Sequence, residues 1–446
     1  MPCDALVCEW DCPQDIPGYD VLGLLRRTLG IDPAIAYYIL KCGHALFYTL
    51  VVSVSLIFQA TEVGLSALQL LLVAAALQGA ILVSEIPTGV IADTYGRKRS
   101  VVIGLLLLGA GMSLSGAIAS FWPILAGHLI WGLGHTFISG AGEAWIADEV
   151  GLQRANRVYL RTAQVTKLFW IIAIPVSFGI ATYELRLPIL LGGAGFGMLA
   201  VFLVLFMGED GFQRPAEPDT RQTWRDLRDT LGQGRSLVRS RPLLMTILLI
   251  MAFYGMAGQG FITLWVPHFD RNLTFPTIWN LEPLIWFFVV RMAAAVLSLI
   301  VVEFIRRWRV ESLNSHAVVS RSLFWINSLQ MLSVLIIATT DSFAVAAALI
   351  CAAIALAEAF DPLHLAWLNQ NVESRVRATV ISMSSQMEAF GKTAGGPILG
   401  GVASVLSLRS AIAVAGLAIF PALLFYFRAF GQGRTEGAES EDAAEA

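Results

Sequence analysis

The sequence predicts an all-α membrane protein in which twelve transmembrane helices form two pseudo-symmetric six-helix bundles. Of its 446 residues, 56% are hydrophobic and only 14% are charged, whereas a soluble domain carries about 25% charged residues. Apolar runs of about 20 residues, the length that crosses a bilayer as a helix, recur along the whole chain. These runs lack the alternation of membrane β-strands, so helices are the expected spanning elements.

The apolar runs define the expected domains. They occupy residues 34–59, 67–91, 100–119, 122–149, 156–181, 187–207, 242–266, 281–304, 317–339, 342–369, 377–405 and 408–428. The expected domains are therefore a cytoplasmic segment 1–33, a bundle 34–207, a linker 208–241, a second bundle 242–428 and an acidic, disordered tail 429–446.

Basic residues lie almost entirely on one side of these spans. If run 1 starts in the cytoplasm, 22 of the 30 Lys and Arg fall on the cytoplasmic side and only Arg186, Arg271 and Arg409 on the other. This asymmetry follows the positive-inside rule and predicts a multi-pass protein of the cell (inner) membrane with both termini in the cytoplasm. The arginine-rich linker is expected to be either a basic amphipathic helix on the membrane surface or a solvated connection.

A charged turn interrupts the apolar chain between runs 2 and 3. Residues 89–100 read GVIADTYGRKRS, and residues 301–312, VVEFIRRWRVES, repeat this pattern in weaker form after run 8. The first stretch resembles the loop 2–3 signature of the major facilitator superfamily, whose positions are filled by Gly89, Asp93, Gly96, Arg97, Lys98 and Arg99. The neighbouring sequences EIPTG, SGAGEAWIADE and RATVISMSSQ are similar to bacterial drug-exporter-like members, including the tetracycline-resistance type.

The resemblance implies the major facilitator fold and alternating access between its two bundles. It also implies that the signature is a conformational latch, in which Arg97 pairs with Asp93 or with Asp148 at the end of run 4. In the family such a relay braces the outward-open state. Gly89 is expected to let helices approach closely, and Gly96 to permit a tight turn.

Two departures from the family patterns are visible. His128 stands where many members carry an arginine in the fourth helix. The exporter motif G-P-x-x-G-G is reduced in run 5, and a near-match that we interpret as a helix-packing motif lies instead in run 11, at Gly396, Pro397, Gly400 and Gly401.

A small set of charged residues lies inside the predicted spans. A charge at the centre of the bilayer costs roughly 2.5–3.5 kcal/mol on insertion scales, which makes each one a functional candidate. The acidic members are Glu143, Glu358, Asp361 and Glu388, and the basic members are Lys41, Lys167, Arg291 and Lys392. They avoid runs 3, 6, 9 and 12, which the family places away from the cavity.

Glu358 and Asp361 are the first candidates for proton coupling. They are three residues apart and share a helix face, where two neighbouring carboxylates hold both charges less readily than one. One of them is therefore expected to take up a proton near neutral pH. Glu143 and Glu388 are further candidates for the same role.

The buried basic residues are expected partners of these carboxylates. Lys392 lies one helical turn after Glu388, so this pair is either structural or part of the coupling site. Glu143 can pair with Lys167 or with Lys41.

Aromatic residues and histidine on the expected lining helices are candidates for the wall of a substrate cavity: Tyr38, Trp131, His135, Tyr254 and Phe261. Contact with a flat or amphipathic organic molecule and ordinary packing both explain their abundance.

These observations predict a secondary active transporter that moves a small organic molecule by alternating access, with proton-coupled export as the expected direction. A proton-coupled uptake symporter, or a non-transporting membrane sensor or scaffold, would share the same spans. No enzyme is expected, because no run or loop offers a nucleophile–base set, a phosphate loop or a metal cluster. The expected partners are the lipid bilayer, the substrate and the proton, with no cofactor, metal or nucleic acid, for a monomeric protein.

Overall fold

Twelve helices build the part of the chain that the computed structural model describes, residues 31–211, 232, 242–276, 282–309, 316–372 and 377–427. They are α1, Pro33–Ile57; α2, Ala67–Tyr95; α3, Arg97–Ala117; α4, Phe121–Ile138 with Ala141–Val150; α5, Leu152–Ala181; α6, Leu187–Phe206; α7, Pro242–Asn272; α8, Pro283–Arg309; α9, His316–Thr339; α10, Phe343–Asn371; α11, Arg377–Val405; and α12, Leu408–Phe427. Ten helices are long and apolar enough to cross a membrane. The predicted all-α membrane fold is confirmed.

The fourth predicted span is not one continuous helix. Its helical pattern ends at Ile138 and restarts at Ala141, because Gly140 has a φ of 75°, a conformation that glycine adopts without steric cost. The expectation of an unbroken helix over 122–149 was therefore wrong. The predicted surface helix of the linker and the acidic tail lie outside the described residues.

The start of α1 is fixed by Asp32. Its side chain accepts a hydrogen bond from the Ala34 N–H at 2.8 Å, as an N-cap residue does, and its carboxylate also pairs with Arg154 of α5. The Ala34 N–H and, next, the Arg154 guanidinium hold the pKa of Asp32 below its usual value. The first turns of α1 and α5 are thereby joined at one end of the bundle.

The far end of α1 widens into a π-helical turn, Phe58–Glu62, in which the Val63 N–H donates to the Phe58 carbonyl at 3.0 Å. Such turns are rare and often occur at functional sites. The chain then enters α2 through Ser66 and Gln69, which form a reciprocal capping box. The π-helical turn places Gln59, a polar residue, within the buried end of α1.

Glycines set the distance between several helices. A Cβ atom added to Gly111 of α3 would lie 2.5 Å from the carbonyl oxygen of Gly127 in α4, and one added to Gly127 would lie 2.5 Å from that of Gly111. The backbones of α3 and α4 therefore touch at this crossing, as small residues allow in lipid.

The two ends of the molecule differ in how the bundles meet. We call the end that carries Arg97, Lys98 and Arg99 the basic face, and the end that carries residues 63–66 and 182–186 the opposite face. One hydrophobic core runs through the first bundle and continues into the second bundle near the opposite face, for example at residues 261–273 and 287–295.

The basic-face half of the second bundle has a separate core. It contains residues 244–257 of α7 and 359–372 of α10, with the ends of α9 and α12 that lie at the same level. The bundles thus share a core near the opposite face and have distinct cores near the basic face.

Replacing Gly127 with alanine should destabilise the fold by about 1–3 kcal/mol, because the added methyl group overpacks the crossing of α3 and α4. The midpoint of thermal unfolding in detergent is the measurement. Gly197 of α6 is the matched control, since an added Cβ there meets nothing within 4 Å. Equal midpoints for Gly127→Ala and Gly197→Ala would contradict the close crossing.

Candidate functional site

A cavity of about 440 Å³ lies between the two bundles. Its wall is built by α1, α2, α4 and α5 of the first bundle and by α7, α8, α9, α10 and α11 of the second. The α1 and α2 residues that line it, 48–59 and 70–78, belong to the opposite-face half of each helix. The cavity therefore lies where the bundles share a core, and its volume is in the range of small-molecule sites.

Charged side chains form one part of the wall: Arg291, Glu358, Asp361, Glu388 and Lys392. Lys392 and Glu388 form an ion pair at 2.6 Å along α11. Glu358 lies within electrostatic range of Arg291. Neither Glu358 nor Asp361 has an ion pair or hydrogen bond to a described residue.

Uncharged polar side chains form another part of the wall: Gln59, Gln78, His128, Gln259 and Gln330. Gln59 donates from Nε2 to Ser55 Oγ at 3.0 Å and lies 3.4 Å from Nε2 of His128. His128 also lies 2.8 Å from the Ile124 carbonyl. The residue at the family's arginine position is thus held in a buried hydrogen-bond network beside the cavity.

The predicted aromatic residues divide into two groups. Trp131, Tyr254 and Phe261 line the cavity and are at least 90% buried. Tyr38 and His135 do not line it. Both lie in the basic-face halves of α1 and α4, where the described cavity wall does not extend, so their placement in the cavity is not supported.

Glu143 lies away from the cavity and forms an ion pair with Lys41. The backbone carbonyl of Glu143 also accepts a hydrogen bond from the Tyr159 hydroxyl at 2.7 Å. Of the two partners that the sequence allows, Lys41 is the one that the structure brings to Glu143. Lys167 instead lines a second pocket of about 390 Å³ between α5 and α8, which it shares with Glu358.

The loop 2–3 signature forms a compact ionic cluster at the basic face. Arg97 pairs with Asp93 one turn before it, and its Nε lies 3.9 Å from Oδ2 of Asp148. Gly96 has a φ of 112°, a conformation that favours glycine. Gly89 differs from the expectation, because an added Cβ would meet nothing within 4 Å; no helix packs closely there.

Glu209 completes this cluster. Its carboxylate accepts a hydrogen bond from the Lys98 backbone N–H at 2.8 Å, and the Lys98 ammonium donates to the Val204 carbonyl at 2.7 Å. Arg99 is exposed. The segment after α6 is thereby tied to the turn between α2 and α3.

The second bundle carries a counterpart of the Asp93–Arg97 pair. Arg307 donates from Nε to Glu303 at 2.6 Å, with the same spacing of four residues. The weak sequence repeat therefore corresponds to a repeated contact.

The glycine motif of α11 packs against α2. An added Cβ on Gly396 would lie 2.5 Å from the Ala75 Cβ and 2.7 Å from the Leu71 carbonyl oxygen, and one on Gly400 would lie 2.5 Å from Leu68. Gly401 meets nothing within 4 Å. Gly396, Pro397 and Gly400 therefore lie on the stretch of α11 that closes the space between the bundles toward the opposite face.

Two polar contacts also join the bundles. Gln386 of α11 donates a hydrogen bond to Glu85 of α2. Arg271, near the end of α7, donates to the Leu65 carbonyl at 2.9 Å and lies 3.4 Å from the Ala60 carbonyl. Ala60 lies in the π-helical turn of α1, and Leu65 lies just after it. Their backbone carbonyls are the hydrogen-bond acceptors for the Arg271 guanidinium.

Comparison with known proteins identifies the family. Residues 38–320 match the model of the Major Facilitator Superfamily. The chain belongs to the Major Facilitator Superfamily. It is also 22% identical over 366 residues to the uncharacterized MFS-type transporter YxaM of Bacillus subtilis (strain 168), a match that covers 80% of this chain and 86% of that protein.

Solved structures share the fold. The nucleoside transporter NupG has a TM-score of 0.66 at 15% identity, over 90% of this chain and 99% of that one. A bacterial homologue of the human lysosomal transporter Spinster, in an inward-facing and unoccupied conformation, has a TM-score of 0.69 at 14% identity, over 92% and 98%. A peptide transporter, POT, solved with sulfate, has a TM-score of 0.70 at 14% identity, over 90% and 95%. At these identities the likeness shows the fold.

Membership in the Major Facilitator Superfamily makes this chain a multi-pass membrane protein of a secondary-transporter family. Among the described residues, no group of three or more His, Cys, Asp or Glu could hold a metal ion. The sequence reasoning missed Glu85, Gln59, Gln330 and the role of Arg271. Uncharged amides escape a search for charges, and Glu85 contributes to the sequence argument only as the first residue of the EIPTG stretch.

Replacing Gly396 with leucine should separate α11 from α2, because the side chain has no room beside Ala75 and Leu71. Oxidative cross-linking of the pair Gly79→Cys and Thr393→Cys reports the packed state, since an added Cβ at position 79 lies 3.3 Å from the Thr393 side chain. The cross-linking yield should fall severalfold in Gly396→Leu and stay unchanged in Gly401→Leu. Equal yields in the two variants would contradict the assigned contact.

Proposed function

We propose that this chain is a proton-coupled exporter of small organic molecules in the cell membrane, with its basic face in the cytoplasm. The observation that carries the proposal is the position of Glu358 and Asp361. Both line the cavity between the bundles, and neither forms an ion pair or hydrogen bond with a described residue. Ionisable side chains without partners inside a membrane bundle are rare and usually functional.

Repulsion between carboxylates favours proton uptake at this site. The cavity wall carries three carboxylates, Glu358, Asp361 and Glu388, against two basic residues, Arg291 and Lys392, and Lys392 is paired with Glu388. A proton on Asp361 or Glu358 relieves this repulsion. A substrate that enters the cavity and satisfies the same carboxylate displaces the proton, which couples the two movements.

The arrangement of the bundles supports alternating access. They share a core near the opposite face and have separate cores near the basic face. The positive-inside rule assigns the arginine-rich face to the cytoplasm. In this proposal the structure is the state that loads substrate from the cytoplasm, and rocking of the bundles exposes the cavity on the other side.

The ionic cluster around Arg97 serves as the conformational latch in this proposal. Its contacts join the α2–α3 turn to Asp148 at the end of α4 and to Glu209 after α6. All of these elements belong to the first bundle, so in this proposal the latch acts by holding the basic-face ends of the helices of that bundle together.

Neutralising the two carboxylates should abolish proton-driven transport. The assay uses everted membrane vesicles with an acidic lumen and a panel of labelled organic cations, neutral amphiphiles, sugars and amino acids. A compound counts as a substrate if it accumulates in the vesicles and a protonophore abolishes the accumulation. The double variant Glu358→Gln with Asp361→Asn should lose this accumulation at least tenfold, because neither position then offers a carboxylate that exchanges a proton for substrate.

The control variant is Asp341→Asn, which neutralises an exposed carboxylate paired with Arg409 in the same bundle. It should retain accumulation. Full retention in the double variant would contradict the coupling role, and proton-driven release from the vesicle lumen in place of accumulation would show an uptake symporter.

A further inference from the structure

Arg291 is a charged residue of a membrane-spanning helix to which the proposed function gives no role. It belongs to α8 and lines the cavity between the bundles. Glu358 and Tyr48 lie within electrostatic range of it, but Arg291 forms no ion pair or hydrogen bond with any described residue. An arginine inside a membrane bundle usually pairs with another group or belongs to a substrate pathway. Its position in the cavity wall favours a ligand as the partner.

The guanidinium of Arg291 faces the cavity. Val289 and Val296 are exposed apolar residues that mark the lipid side of α8, and Arg291 projects from the other side of the helix. Among the described residues, the enclosed side-chain nitrogens and oxygens that lack a hydrogen-bond partner include none of Arg291. Since its nitrogens have no such partner, they retain surface, and the cavity is where that surface lies. The Tyr48 hydroxyl of α1 meets the same two conditions, so this part of the wall presents hydrogen-bond donors.

The two carboxylates without a described partner lie nearer the basic face than Arg291. Cys351 Sγ of α10 is 3.5 Å from the Val290 carbonyl oxygen of α8, so Arg291 is close to the level of Cys351. Glu358 and Asp361 follow Cys351 along α10 in the direction of the basic-face core, which places them about 10 and 15 Å further toward that face. Both are exposed residues of the cavity wall.

The cavity wall therefore has a positive end and a negative end. A purely cationic ligand leaves the guanidinium without a contact, and a purely anionic ligand leaves the carboxylates without one. A ligand with a carboxylate at one end and an ammonium at the other makes charge-assisted hydrogen bonds at both ends, and these bonds are stronger than those between neutral groups. Lys392 does not supply a second positive end, because it is paired with Glu388.

We infer that the cavity binds zwitterionic organic molecules, with the ligand carboxylate on Arg291 and the ligand ammonium on Glu358 and Asp361. The inference rests on the proposed function, in that the zwitterion is the transported substrate and its ammonium takes the place of the proton. It also fixes the orientation of the ligand, whose carboxylate occupies the deeper part of the cavity toward the opposite face. The reversed orientation brings like charges together at both ends, and their repulsion weakens binding.

Three aromatic probes of similar size test the inference, and their ring suits a wall in which Trp131 and Phe261 are buried. The first, para-aminomethylbenzoic acid, is a zwitterion at neutral pH. Its methyl ester keeps only the ammonium, and para-toluate keeps only the carboxylate. Dissociation constants for the full chain in detergent come from the rise of the thermal unfolding midpoint with ligand concentration. Wild-type protein should bind the zwitterion about tenfold more tightly than either other probe, since each lacks the charge-assisted hydrogen bonds of one end.

Variants assign each end of the ligand to its residues. Arg291→Gln should weaken binding of the zwitterion about tenfold without weakening binding of the ester, because the ester carries no carboxylate for Arg291. The double variant Glu358→Gln with Asp361→Asn should weaken binding of the zwitterion and of the ester but not of para-toluate. Arg321→Gln is the matched control, because Arg321 lies on α9, is exposed and stands outside the cavity wall. It should keep all three wild-type constants.

The inference is overturned if wild-type protein binds the ester or para-toluate as tightly as the zwitterion, if it binds none of the three, or if Arg291→Gln keeps the wild-type affinity for the zwitterion. Where Arg291→Gln fails to fold, the ester decides, because it removes the contact from the ligand instead of the protein. The measurement is made at equilibrium without a proton gradient, so it separates the two proposals. A preference for the zwitterion in a protein without proton-driven transport would leave this inference standing and remove the proposed function. Proton-driven transport in a protein without that preference would do the reverse.

Discussion

The close contact of α2 with α11 determines the space between the bundles. Gly396 and Gly400 bring the α11 backbone against Ala75 and Leu68, a distance that larger side chains do not permit. Because this contact lies toward the opposite face, the hydrophobic core is continuous there, and the bundles have separate cores toward the basic face. The cavity, its access and the direction in which the bundles can rock all depend on this asymmetry.

The second constraint is that polar groups in an apolar bundle need partners. Four of the charged residues in the spans meet it as half-buried pairs: Lys41 with Glu143, and Lys392 with Glu388. Some exceptions line the cavity, among them Asp361 and the Gln330 carbonyl oxygen, and others, such as His135 and Asn327, lie elsewhere in the bundles. In the proposed function a substrate and a proton are the two species that meet the Asp361 carboxylate, which is why both are assigned to one site.

Much of the fold follows from the sequence, because bilayer thickness sets the length of each apolar run. The arginine distribution predicts the direction of each run. The ionic signature also predicts local contacts, since Asp93 and Arg97 are one helical turn apart. The break in α4 escapes this reasoning, because Ser139 and Gly140 lie within an apolar run and hydropathy does not register a φ of 75°.

The composition of the cavity wall depends on how the bundles pack, which hydropathy does not encode. Tyr38 and His135 lie on lining helices but nearer the basic face than the described cavity wall. Gln330 lies at the right depth on a helix that the expected architecture places outside. Arg271 is a loop charge in the sequence, whereas in the structure it donates to the Leu65 carbonyl, after the π-helical turn, and lies near the Ala60 carbonyl within that turn.

The central claim is that the two faces open in alternation about a cavity that the α2–α11 contact closes on one side. Paired spin labels on a variant without native cysteines, at the exposed residues Tyr183 and Leu406 across the opposite face and at Leu152 and Asn369 across the basic face, measure both openings by pulsed electron paramagnetic resonance. Between neutral and acidic pH, one distance should lengthen while the other shortens. Distances that change together, or a basic-face distance that never changes, would contradict the account.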